Sequence, residues 1–229
     1  MSSLIFTGTI APLDPDTDSA INKQPISAPL LCGPEGLVGD QQQDRRHHGG
    51  TERALHYYPR EHYSYWEEFW LAMALPEPTT PFRPAAFGEN ISDTGLNEEQ
   101  VNVGDTFTLG EAVLQVSQPR SPCYKLNIRF GYAQMSLMMQ TSGRTGWLFR
   151  VLQPGTVKPG DSLSRQEIVS SGLSVRRCLD ILYNRPFSRD GLLLLANHES
   201  LSANWKQHAL TRLESGQPER WTRRLLRQP

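Results

Sequence analysis

The chain has 229 residues, 38% hydrophobic and 21% charged, with a formal net charge of −1. That length suffices for one large domain or a domain with a small appendage, and the near-neutral balance excludes a generic polyanion binder. The longest apolar runs, near Leu71–Leu75 and Leu192–Ala196, fall far short of the ~20 residues a membrane span requires, so no membrane partner is expected.

The opening MSSLIFTGTIAPLDPD carries neither a basic region nor a continuous apolar run, and reads as a cytoplasmic start. Within it, residues 3–10 (SLIFTGTI) predict a strand, followed by a loop rich in Pro, Asp and Ser. The stretch GDQQQDRRHHGG (39–50) is too polar to be core and reads as a strand end leading into a loop. From Tyr57 to Leu75, the residues Tyr58, His62, Trp66, Phe69 and Trp70 follow helical spacing after Pro59, and PEPTTPFRP (76–84) ends that helix.

The middle of the chain changes character. VNVGDTFTLG (101–110), AVLQVSQ (112–118), YKLNIRFG (124–131) and GWLFRVLQ (146–153) predict strands, being rich in β-branched and aromatic residues with glycines between them. AQMSLMMQTSG (133–143) predicts a short helix ending at its glycine. Several strands at short spacing predict a mainly β fold, a closed or nearly closed antiparallel barrel with peripheral helices. After the turn-rich segment 151–164 the pattern becomes helical: Val175, Cys178, Leu179 and Leu182 share one face, Leu192–Leu195 form a second helix, and Leu201, Trp205, Ala209 and Leu213 mark a third. The division expected is a barrel over 1–165, a three-helix unit over 166–215 packed on it, and a basic tail over 216–229. That tail sets Arg220, Arg223, Arg224 and Arg227 against Glu219 and reads as a solvated terminus. A docking surface for an acidic partner is the alternative, with nucleic acid the weaker choice because no wider basic field exists.

Three cysteines, odd in number and widely spaced, argue against a disulfide framework and for reduced thiols in a cytoplasmic setting. A free cysteine is most often a small buried hydrophobe, and Cys32 and Cys178 are read that way. Cys123 differs. In QPRSPCYKL (118–126) it directly follows a proline, and Pro119 and Pro122 take the chain out of the ladder into a rigid loop from which Cys123 begins the return. Arg120 and Lys125 stand close in sequence, and cations near a thiol favour the thiolate that attacks or binds a soft metal. Packing residue and ligand are both open at this point. A second cluster, Asp44, Arg45, Arg46, His47 and His48, precedes a flexible Gly49-Gly50 pair and suits an oxyanion, with a solvated basic loop as the plainer reading. Zinc held by His47, His48, His56 and His62 is disfavoured because adjacent histidines lack ligand spacing. FGENIS (87–92) reads as a turn with Asn90 capping it.

In order along the chain, DRRHHGG, FGENIS, VGDTFTLGEAVLQVSQPRSPCYKL and GWLFRVLQPG resemble the MOSC-domain family, named after the C-terminal domain of molybdenum cofactor sulfurases, and within it the bacterial YiiM branch with a three-helix extension. The likeness covers roughly 20–165 for the barrel and 166–215 for the helices. It implies molybdenum cofactor of the molybdopterin type, the metal bound by Cys123, and a redox activity independent of pyridoxal phosphate: reduction of N-hydroxylated compounds, such as hydroxylaminopurine-type base analogues, to amines. By position it places Asp44, Arg45, Arg46, His47, His48, Asn90, Arg120 and Lys125 around the cofactor, with His47 or His48 delivering protons. The chain has no clustered cysteines for an iron–sulfur centre and no G-x-G-x-x-G for a dinucleotide, so electrons are expected from a separate reductase partner. Two other functions keep the same cysteine: a persulfide sulfur carrier in cofactor assembly, and a non-enzymatic carrier of the cofactor.

Overall fold

The computed structural model describes residues 2–43, 49–169 and 172–227. Strands come first in short pieces: β1 (Leu4–Thr7), β2 (Ala11–Asp14), β3 (Thr17–Ser19), β4 (Gln24–Pro25), β5 (Leu30–Gly33) and β6 (Gly36–Leu37). After a 3-10 turn at Thr51–Arg53 come β7 (Leu55–Pro59), helix α1 (Glu61–Ala72), β8 (Ile91–Asp93), β9 (Thr106–Leu109) and β10 (Ala112–Pro119). Helices α2 (Lys125–Phe130) and α3 (Met135–Ser142) precede β11 (Trp147–Gln153), β12 (Gly155–Val157) and β13 (Leu163–Glu167). The C-terminal part is helical: α4 (Val175–Leu179) running into a π turn at Asp180–Asn184, α5 (Arg189–Asn197), α6 (Ala203–Ser215) and α7 (Thr222–Leu226).

Eight strands form one sheet in the order β13-β9-β10-β11-β7-β8-β1-β4. Its outer parts nearly meet, because Ser3 N–H donates to Asp161 O at 3.1 Å and Leu163 N–H donates to Ser3 Oγ at 2.8 Å. The nearly closed barrel is therefore present, although not antiparallel throughout: β7 and β8 pair in parallel through Tyr57 and Ile91. That pairing is possible because α1 and residues 73–90 supply the crossover a parallel pair needs. Alternation along the strands fills the interior. Phe107 and Leu109, Ala112, Leu114 and Val116, and Trp147 and Phe149 are all buried, and Tyr57 stacks on Trp147 with centroids 4.1 Å apart.

The segment YKLNIRFG is a helix and not the expected strand. Six alternating residues also place Leu126 and Phe130 four apart, and both bury against an aromatic cluster built from Tyr58, Trp66, Phe82 and Phe87; tertiary packing chose the helical period. Cys123 consequently stands before a helix, not on a returning strand. The helix expected over Tyr57–Leu75 begins only at Glu61, leaving Tyr57 and Tyr58 in β7. Trp66 still reaches back, its Nε1–H donating to Tyr58 Oη at 2.7 Å. The helix at 133–143 forms as expected and ends at Gly143.

Leu179, Leu182, Leu195, Trp205 and Ala209 belong to the same buried cluster as the barrel residues Leu114, Val116 and Val103, so the three-helix part shares one core with the barrel. The tail departs from a solvated terminus: α7 folds back and buries Leu225. Among the described residues no helix is long and apolar enough to cross a membrane.

Candidate functional site: a cationic cavity around Cys123

Strand β10 ends at Pro119, paired with Trp147, and the chain crosses Arg120–Tyr124 before α2. Arg120 N–H donates to Gly146 O at 3.2 Å, while Gly146 N–H donates to Glu98 Oε1 at 2.7 Å. Gly146 has φ 67°, and a Cβ there would lie 2.0 Å from the Tyr57 carbonyl oxygen, so the position admits only glycine. The loop held in this way presents Cys123, half-buried, on the wall of a cavity of about 790 Å³. Cys32 and Cys178, by contrast, are fully buried in the core.

Arg120, Lys125 and Asn90 line the same cavity as Cys123. Asp44, Arg45, Arg46, His47 and His48 lie outside the described residues. Lys125 is buried and its Nζ donates to the Asp18 carbonyl at 3.1 Å. The Arg120 side chain ends on Met139 Sδ at 3.6 Å, and burial pulls its pKa down. Asn90 is fully engaged inside the protein: Oδ1 accepts from His56 N–H at 3.1 Å, and Nδ2 donates to Phe6 O at 3.2 Å and to Asp40 Oδ2 at 2.8 Å. It shapes the wall and has no donor left over. Its neighbour Glu89 is buried and anchors the turn before it, accepting from Ala85 N–H at 2.7 Å and Phe87 N–H at 3.1 Å.

Several wall residues take roles that the sequence did not assign them. Lys23 and Asp40, the latter in the polar stretch GDQQQDRRHHGG, form a buried ion pair; desolvation lowers the Lys23 pKa while Asp40 opposes it. His56 is buried, and desolvation followed by the Arg120 charge holds its pKa well below the ordinary value. It is thus neutral near pH 7, with its Nε2 proton directed at Thr145 O at 3.2 Å. His62, the other described candidate for zinc, is bound to Glu98 at 2.8 Å. Among the described residues no three such side chains converge as a metal site. The far wall comes from the C-terminal part: Tyr183, His208, Glu219, Trp221 and Arg224. The tail arginines were the only hint of that in the sequence.

The donor set fits an anionic, metal-bearing group. Buried charges cost several kcal/mol unless they meet a counter-charge, yet neither Arg120 nor Lys125 is ion-paired with a carboxylate among the described residues. Asp40 and Glu219 are the only described carboxylates on the wall, and each already serves a cation of its own chain. An unspent pair of cations next to a thiol is an arrangement for receiving phosphate and a soft metal together. The cavity volume lies within the ~300–1,000 Å³ of small-molecule sites.

The MOSC domain family matches residues 44–164, and the YiiM-like 3-alpha helix domain matches 173–216. The chain is 41% identical over 223 residues to Protein YiiM of Escherichia coli (strain K12), covering 96% of each. The crystal structure of YiiM from Escherichia coli superposes with a TM-score of 0.80 at 36% identity, over 98% of this chain and 97% of that one. A protein named Reductase from Gibberella moniliformis is 41% identical over 150 residues, which are 65% of this chain and 26% of that protein. Barrel, cavity and matched regions together make the chain a member of the MOSC-domain family, of the YiiM type with the three-helix extension.

Proposed function

We propose that the protein holds molybdenum cofactor through Cys123 and reduces N-hydroxylated small molecules of the hydroxylaminopurine type to amines, with electrons from a separate reductase. The observation that carries this reading is the half-buried Cys123 thiol on a cavity wall that it shares with Arg120 and Lys125, cations that form no ion pair with a described carboxylate. Bound there, the cofactor would supply a two-electron couple and an acceptor for the oxygen leaving the N–O bond, work that side chains do poorly.

The protein's own residues have three tasks. Cys123 would give the metal a soft thiolate donor. Arg120 and Lys125 would meet the anionic phosphate of the pterin, Arg120 with a planar fork and Lys125 as a point charge. The amine nitrogen needs a proton, for which His47 and His48, both outside the described residues, are the histidines proposed from sequence. The relative named Reductase supports a redox reading at that coarse level.

Protein purified anaerobically should carry molybdenum and pterin, and Cys123→Ala should lose both while melting at the wild-type temperature. Wild-type metal content in that variant would overturn the reading, as would failure of the loaded protein to reduce a hydroxylamino purine with an artificial electron donor. NADPH alone should support no turnover; brisk NADPH oxidation by the purified protein would remove the need for a reductase partner.

A further inference from the structure

The C-terminal segment closes on the loop that carries Cys123. A short helix leaves its last carbonyls without partners, and those of α7 are taken up at the site. Arg224 O accepts from Tyr124 N–H at 2.7 Å. Leu225 O accepts from Asn127 Nδ2 and from Ser136 Oγ, each at 2.7 Å. The Arg224 guanidinium donates to Pro122 O and, at 2.6 Å, to Gln140 Oε1 on α3. The two residues flanking Cys123 are therefore both tied to one residue, 102 positions beyond Pro122. Pro122 is held by its carbonyl and Tyr124 by its amide.

The clasp extends on either side. Ser121 Oγ and Tyr183 Oη are 3.0 Å apart, the Arg224 guanidinium lies 4.6 Å from the Trp221 ring centroid, and Arg227 pairs with Asp14 at 3.0 Å while lying over Tyr124. A five-residue helix has no stability by itself, so α7 is helical only while these contacts hold. The loop's other main-chain ties are Arg120 N–H to Gly146 O at its start and Leu126 N–H to Cys123 O at its end, and between them Pro122 has no amide to donate.

We propose that Arg224 is the positioning residue for Cys123, which makes the C-terminal segment an integral part of the site. This deepens the function proposed above and rests on Cys123 being the metal ligand. A ligand displaced by ~1 Å loses much of its value, and a loop held on both sides of its cysteine keeps the sulfur more closely than one held on the Tyr124 side alone, which is what remains when the guanidinium is removed and the Arg224 carbonyl stays. Arginine suits the task because its planar fork reaches a loop carbonyl and a helix side chain at once, which an ammonium does not.

The test uses the thiol itself, in metal-free full-length protein. Iodoacetamide should label Cys123 and spare the buried Cys32 and Cys178. Arg224→Ala should raise the Cys123 labelling rate about fivefold or more, the scale set by losing one or two hydrogen bonds, with the other cysteines still spared. In separate anaerobic preparations that retain cofactor, the molybdenum content of Arg224→Ala should fall about as far, and Arg224→Lys should fall between the two proteins in both measurements. Wild-type labelling and metal content in Arg224→Ala would overturn the proposal. So would simultaneous labelling of all three cysteines, which would make Arg224 a support of the whole fold. Wild-type protein lacking molybdenum would sink the function proposed above, while the labelling rates would still decide the role of Arg224.

Discussion

Three chemically identical thiols occupy three environments. Cys32 sits on β5 in the barrel core, where burial pushes its pKa up to about 12, and Cys178 on α4 is pushed higher still by the same cause. Both are therefore protonated and shielded at neutral pH, while Cys123 faces a cavity. At pH 8 a thiol reagent should modify Cys123 alone in the folded protein, as peptide mapping by mass spectrometry would show; equal labelling of Cys178 would contradict its burial. Gly146 is the second decisive residue. Its positive φ and the 2.0 Å approach to the Tyr57 carbonyl mean that Gly146→Ala must move β7 or β11. The cost should reach ~2 kcal/mol or more, read as a lower denaturant midpoint.

At the scale of elements, α2 and the C-terminal segment determine the site's shape. Asn127 joins them: its Nδ2 donates to Leu225 O, and its Oδ1 accepts from Ser136 N–H at 2.8 Å. Asn127→Ala strands the Ser136 N–H, while Leu225 O keeps Ser136 Oγ, and should cost ~1–3 kcal/mol. The other end of the segment is held by Glu219, which accepts from His208 Nδ1–H at 2.9 Å and from Arg212. Burial alone would raise the Glu219 pKa; these hydrogen bonds overcome it and bring the carboxyl to about 2 from the ordinary 4.5. A depressed carboxyl pKa contributes stability that is complete above pH 4.5 and is lost as pH falls towards 2. The attachment of residues 217–227 should therefore loosen across that window, visible as a change in tryptophan fluorescence from Trp221. Glu219→Gln should reduce that pH dependence, leaving the share carried by the Arg227–Asp14 pair, and an unchanged acid profile would refute the cause given.

At the scale of the molecule, one buried cluster runs from Phe107 and Val116 in the barrel to Leu195 and Trp205 in the helices. A shared core couples the two parts, so thermal unfolding followed by near-UV and far-UV circular dichroism should give one coincident transition. Trp205→Ala should cost ~3–5 kcal/mol and lower that single transition; a barrel that melted unchanged would show the helices to be independent.

Much of this was open to reading along the chain, because strands such as β10 and β11 alternate over their first halves and the buried residues of helix α6 fall on one face. Cys123 was marked by its prolines, and Cys178 by its place on an apolar helix face. Those are local signals, carried by spacing and backbone restriction, and local physics suffices to interpret them. The period of KLNIRF, the Lys23–Asp40 pair, the neutral His56 and the return of Arg224 to Pro122 depend on residues tens to a hundred positions apart. Only the folded chain decides these, because burial and long-range hydrogen bonding, rather than sequence neighbours, set which charges go unpaired and which loop is held.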